Sequence, residues 1–150
     1  MTQLLIAAGV LVAALVVGAV LRQRRQVDAP TQPVFAAPSQ IDRADFATGD
    51  APWLVAVFSS ATCMGCRDVV EKAKVLACAE VAVVDIEYSA NAALHRKYHI
   101  DGVPILLLAD RQGVVKAAFI GPVTATDLWA AVAEARNPGS SPEPNIGRNS

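Results

Sequence analysis

The chain has 150 residues and a formal net charge of -1, with 13 Lys and Arg against 14 Asp and Glu. There is no basic footprint of the kind that nucleic-acid binding requires, so that class is set aside. The hydrophobic fraction of 53% is high for a soluble domain of this length, and the excess is concentrated at the front.

Leu4 to Leu21 is an uninterrupted apolar run of 18 residues. As a helix it reaches roughly 27 Å, close to the thickness of a bilayer's hydrocarbon core. It ends in Arg22, Arg24 and Arg25, a stop-transfer pattern, and no basic residue precedes it. A cleaved signal peptide is the rival reading, with Phe35-Ala36-Ala37 as a cleavage site, but such a peptide wants a basic start and a cut just after the apolar run. Residues 1–25 are therefore expected to be a transmembrane anchor with a basic flank. Basic residues favour the cytoplasmic side, so the following domain is expected in the cytoplasm, with the extracytoplasmic side as the alternative.

Residues 26–38 are rich in Pro, Ala, Gln and Thr and read as a flexible tether. Residues 39–136 form the expected folded domain. Residues 137–150, with three prolines and three serines, have too little apolar surface to order and are expected to be a disordered tail.

Within the domain, Ile41–Ala47 suggests a short helix ending before Gly49 and Pro52. Trp53–Ser59 is a continuous apolar run of strand length, the pattern of a strand buried on both faces. Cys63 to about Ala77 reads as a helix whose apolar positions Cys66, Val69, Val70, Ala73 and Ala77 recur at three- and four-residue spacing. Val81–Ile86 is a second buried strand, so strand, helix and strand form a right-handed parallel crossover. A helix follows over Ala90–Tyr98. Ile105–Ala109 and Val114–Ile120 flank a turn containing Gly113, as in a hairpin. The last helix covers Ala125–Arg136, with Thr124 as its cap and Asp127 in place of the longer Glu of a capping box.

Three cysteines are present. Cys63-Met64-Gly65-Cys66 stands directly between a buried strand and a helix. A thiol at a helix N-terminus meets unpaired backbone N–H groups and the positive end of the helix dipole, both of which favour the thiolate. The thiolate is the nucleophile, and lowering its pKa from about 8.5 raises the reactive fraction. Cys63, nearer solvent, is the expected attacking residue. Cys66, one turn deeper, is the expected resolving residue that displaces the mixed disulfide. Arg67 reads as a solvated surface charge.

The competing chemistry is metal binding. A structural zinc site normally needs four ligands, and beyond the pair only Cys78, His95 and His99 are on offer. His95 and His99, spaced i,i+4 beside Arg96 and Lys97, read as a solvated face. Cys78 reads as a small buried hydrophobe, and Trp53 and Trp129 as core residues. No cofactor and no metal is expected.

The ordered segments VAVFSSATCMGC, VVDIE, KYHIDGVPILLLAD and FIGPVTATDL, with Gly113 and Gly121, resemble the thioredoxin family over residues 39–136. The resemblance implies an α/β thioredoxin fold, a mixed central sheet flanked by helices, preceded here by one transmembrane helix. It implies a cis peptide bond before Pro104, and a loop whose backbone docks a substrate chain as an added strand. Met64, Gly65, Val103, Pro104 and Gly121 would then form the substrate-binding surface around the catalytic Cys63 and Cys66. The implied activity is thiol–disulfide exchange with protein disulfides at the membrane surface, chiefly as a reductant. Its partners would be protein substrates, an upstream electron donor and the lipid bilayer through Leu4–Leu21. The alternatives are a metal-binding chaperone and an adaptor without turnover. The chain also departs from the family pattern. The usual buried acid falls at Val57, its companion lysine at Val83, and the tryptophans before the first cysteine at Ser59 and Thr62. Cys66 is therefore expected to hold its proton in an apolar setting, with water or a peripheral carboxylate taking it.

Overall fold

The computed structural model describes residues 36–140. The expected anchor at residues 1–25, most of the tether and tail positions 141–150 lie outside the described residues. Among those described, no helix is long and apolar enough to cross a membrane.

Four strands, β1 (Trp53–Ser59), β2 (Val81–Glu87), β3 (Ile105–Ala109) and β4 (Val115–Ile120), alternate with three helices, α1 (Met64–Lys74), α2 (Tyr88–Lys97) and α3 (Ala125–Arg136). The strands lie in one sheet in the order β2-β1-β3-β4. β1 and β2 are parallel, joined by the α1 crossover, while β1–β3 and β3–β4 are antiparallel. The sheet is therefore mixed, as expected. A parallel pair cannot be closed by a tight turn, and α1 supplies the connection.

Alternation along the strands divides the core into two layers. Val55, Val57, Leu106 and Leu108 point to the side covered by α1 and α3, where Val69, Val70, Ala73, Leu128, Ala131 and Val132 meet them. Leu54, Ala56, Phe58, Ile105 and Leu107 point to the other side, against Ile41, Phe46, Tyr98 and Ile100. β1 and β3 are buried on both faces, which is why their sequences read as unbroken apolar runs.

Three local expectations need correction. The helix expected over Ile41–Ala47 is a single 3₁₀ turn, Arg43–Asp45. The Ile41 N–H donates to the Gly113 carbonyl at 2.9 Å and Gln40 bridges Val114, so the chain is held extended until Asp42 caps the turn. Gly113 accepts this approach because it has φ 80° and no Cβ; a Cβ there would lie 2.0 Å from the Ile41 carbonyl oxygen. α1 ends at Lys74, with Leu76 and Ala77 bonding back three residues in tighter turns. α2 begins two residues early because the Glu87 side chain caps it by accepting from the Ala90 N–H.

Other side chains also depart from expectation. His95, expected on a solvated face, is buried at 2% exposure, with Nε2 2.8 Å from the Ile86 carbonyl oxygen and its ring edge-on to Phe58 and Tyr88. α2 is broken at non-helical Asn91 (φ -131°, ψ 32°), so its later residues do not continue the phase of its first turn, and position 95 faces Ile86 and Phe58. Cys78, expected in the core, is an exposed free thiol, because α1 ends before reaching it. Trp129 is 54% exposed on the outer face of α3, while Trp53 does pack against the α1–α3 layer.

Candidate functional site

The site forms where β1 stops and α1 starts. Residues 60–62 turn the chain, and Cys63 is the N-cap of α1 in an extended conformation. A polar side chain at this position satisfies one of the helix's free N–H groups. Here the group is sulfur, and the Cys66 N–H donates to Cys63 Sγ at 3.1 Å. That donor favours a sulfur anion over a thiol. Cys63 and Cys66 are joined in a disulfide. Cys63 is half-buried, and Cys66 is 2% exposed on the inner side of α1.

All seven residues singled out from the sequence come together. The Val103–Pro104 peptide bond is cis, as the resemblance implied. The Val103 carbonyl oxygen lies 3.9 Å from Cys63 Sγ. Pro104 is buried, and its own carbonyl accepts from the Gly121 N–H at 2.8 Å, which ties the loop after β4 to the loop before β3. Gly121 makes that bond with φ 89°, a conformation that side-chain-bearing residues rarely adopt. Met64 is 96% exposed at the tip of the turn, and Gly65 beside it has open space around its α-carbon.

Sequence reasoning missed the polar groups behind the disulfide. An open pocket of about 500 Å³ is lined by Cys63, Cys66 and Val70, with buried Ser59, exposed Asp85 and half-buried Glu87 at the ends of β1 and β2. Ser59 Oγ donates to Asp85 Oδ1 at 2.5 Å. Glu87 accepts from the Ala61 N–H at 3.1 Å, from the Ala90 N–H at 3.2 Å, and from the Ser89 hydroxyl. These bonds, the Ser89 hydroxyl first among them, hold its carboxyl down at about 2. Glu87 thus links the turn before Cys63 to the start of α2. The available signal was Asp85 and Glu87 interrupting an otherwise apolar strand at every second residue, which places both on one face.

Among the described residues, no three His, Cys, Asp or Glu side chains cluster closely enough to hold a metal ion. His95 is turned into the core and committed to a backbone carbonyl, so it and His99 do not present a paired face.

No protein-family model and no curated protein matches the chain. It is similar to a single-site mutant of thioredoxin from Halobacterium salinarum NRC-1, with 27% identity over 57% of this chain and 75% of that one, at a TM-score of 0.49. It is also similar to a thioredoxin-fold protein from Helicobacter pylori, with 14% identity over 60% of this chain and 71% of that one, at a TM-score of 0.48. A malarial protein shows 19% identity over 54% of this chain and 93% of that one, also at 0.48. The chain's own strand order, its parallel β1–α1–β2 unit, the disulfide at the start of α1 and the cis-proline beside it give it a thioredoxin-like α/β fold.

Proposed function

We propose that this chain is a thiol–disulfide oxidoreductase that reduces disulfides of protein substrates, held at a membrane surface by Leu4–Leu21. The observation that carries the reading is the placement of one disulfide. It caps α1, with its outer sulfur beside the Val103 carbonyl and its inner sulfur buried.

In the reduced state the Cys63 thiolate attacks one sulfur of a substrate disulfide and expels the other as a thiolate, which takes a proton from water. This leaves a mixed disulfide. Cys66 then loses its proton and attacks Cys63 Sγ, forming the Cys63–Cys66 bond and releasing the second substrate sulfur. Two electrons pass from the dithiol to the substrate, and an upstream dithiol donor must return them. The substrate chain lies against the Val103–Pro104 backbone as an added strand, with exposed Met64 and Gly65 on its other side. Three arginines after the apolar run favour the cytoplasm for the catalytic domain.

Insulin reduction by the full chain tests the activity. Wild type is expected to accelerate it, and Cys63→Ser to return it to the uncatalysed rate, a loss of several orders of magnitude. Equal rates in both would sink the reading. A reporter fused after Arg136 tests the side of the membrane, with signal expected from a cytoplasmic reporter alone.

A further inference from the structure

The proposed exchange needs Cys66 to lose a proton, yet its residue is 2% exposed and its surroundings include apolar Val70 and the aliphatic layer beneath α1. Cys66 is nonetheless among the residues that line the open pocket beside the disulfide. The pocket's charged groups can be weighed one by one as proton acceptors. Arg67 and Lys74 on α1 are cations. Glu71 is paired with Lys74 at 2.8 Å and is committed to that contact. Glu87 is saturated by two backbone N–H groups and the Ser89 hydroxyl, which makes it a weak base.

Asp85 remains. Register pairs it with Val57 across the parallel β1–β2 ladder, so both stand on the α1 side of the sheet. Its carboxylate is within the field felt by the Lys74 ammonium, whose raised pKa comes first from Glu71 and in small part from Asp85. It is bound to one group in the cavity that can pass a proton, the hydroxyl of buried Ser59, at 2.5 Å. A hydroxyl both accepts and donates, so Ser59 can take a proton from a cavity water or the thiol while giving its own to the carboxylate. The cavity, at about 500 Å³, has room for several waters at ~30 Å³ each.

We propose that Asp85, acting through Ser59, is the proton acceptor that activates Cys66 in the resolving step. The Cys66 proton passes to the Ser59 hydroxyl, directly or by one water, and the Ser59 proton passes to Asp85. The thiolate so formed attacks Cys63 Sγ, closes the Cys63–Cys66 bond, and expels the substrate sulfur as a thiolate, which is protonated by solvent. Asp85 then returns its proton to water. Asp85 is a positioning and relay residue, one step removed from the reacting sulfur. The inference rests on the dithiol exchange of the proposed function.

The test separates the two steps. The reduced full chain, in detergent and carrying Cys78→Ser to silence the exposed thiol, is mixed with dithiobis-nitrobenzoate in a stopped-flow instrument. A concentration-dependent phase reports attack by Cys63, and a concentration-independent phase reports release by Cys66. Asp85→Asn is expected to slow the second phase by about tenfold near neutral pH and leave the first unchanged. With the relay, the second phase is nearly flat from weakly acid to neutral pH. Without it, the rate follows the thiolate fraction and climbs about tenfold per pH unit below the thiol pKa. Ser59→Ala is expected to reproduce this profile, and Asp85→Glu to restore part of the rate. Wild-type second-phase rates in Asp85→Asn or Ser59→Ala, or equal slowing of both phases, would overturn the proposal. Failure to reduce insulin with the two-phase kinetics intact would instead count against the proposed function and leave the relay standing.

Discussion

The two faces of the sheet are built from different materials. Under α1 and α3 the layer is almost wholly aliphatic, with Val55, Val57, Val69, Val70, Leu106, Leu108 and Leu128 in contact. Under α2 and the 3₁₀ turn the layer carries rings and polar groups. Phe46 stacks on Tyr98, and Phe58 meets both Tyr98 and His95 edge-on. The Tyr98 hydroxyl donates to Asp45 and accepts from the Asp42 N–H at 3.0 Å, and Lys97 reaches Asp45 at 2.6 Å. The aromatic stacking and the tyrosine hydroxyl's ties are thus gathered on the side away from the cysteines. On the cysteine side the sulfur of Cys63 is stabilised by a backbone N–H, and the polar groups stand at the strand ends and along α1, where Lys72 also donates to the Val123 carbonyl. Such a division lets a charge come and go at the sulfurs without disturbing a buried network elsewhere.

Adjacent leucines on β3 sample the two layers. Leu106 points into the aliphatic layer and Leu107 into the aromatic one, each at most 1% exposed. Truncating either to Ala removes buried methyl groups and leaves a gap, so each is expected to lose about 2–5 kcal/mol in urea denaturation. A loss below about 1 kcal/mol for one of them would show that its layer closes over the gap, and would break the picture of two equally packed cores.

Tyr98→Phe isolates the polar tie on the far side. The ring stays, the bond to Asp45 is lost and the Asp42 N–H loses its acceptor, for an expected cost of about 1–2 kcal/mol by chemical denaturation. The pH dependence sharpens it. The Asp45 carboxyl is held below its ordinary value first by the Lys97 hydrogen bond and then by Tyr98. A depressed carboxyl contributes stability that is present above its unfolded value near 3.8 and is lost as pH falls through the lower folded value. Tyr98→Phe is therefore expected to shrink the loss of stability on acidification below about pH 4, measured as urea midpoints across that range. An unchanged acid limb would show that Lys97 alone sets it.

Elements whose signal is local were legible in the sequence. Trp53–Ser59, Ile105–Ala109 and Ala125–Arg136 agree residue for residue, because double-sided burial or a cap marks each within its own span. The cysteine pair was legible for the same reason, as a short motif between a strand and a helix. Much of what escaped depends on partners distant in the chain. Ile41 is held extended by Gly113, and Tyr98 finds Asp45 across 53 positions. Ser59 meets Asp85 only once the parallel register has been set. His95 reads as solvated until the break of α2 at Asn91 and the Ile86 carbonyl it meets are known. The missed polar edge of the site depends on such long-range partners, whereas Cys78 and Trp129 were misplaced by the local matters of where α1 ends and which face of α3 is covered.

The smallest expected effect lies at α3, which covers the aliphatic layer. Thr124 Oγ1 accepts from the Asp127 N–H at 3.1 Å, satisfying one donor at the helix start. The reciprocal bond of a full capping box needs a longer acid than Asp127, so only one of the two donors depends on this pair. Thr124→Ala is expected to cost about 1 kcal/mol in urea denaturation, less than either leucine truncation. The loss should fall on α3, with hydrogen exchange accelerating at its first turn while β1 and β3 keep their protection. Because Thr124 touches neither sulfur, both phases of the disulfide reaction should be unchanged in the variant. A slower Cys66 phase would mean that α3 transmits order to the resolving sulfur through the layer they share, and the separation of reactivity from stability would then hold for α2 alone.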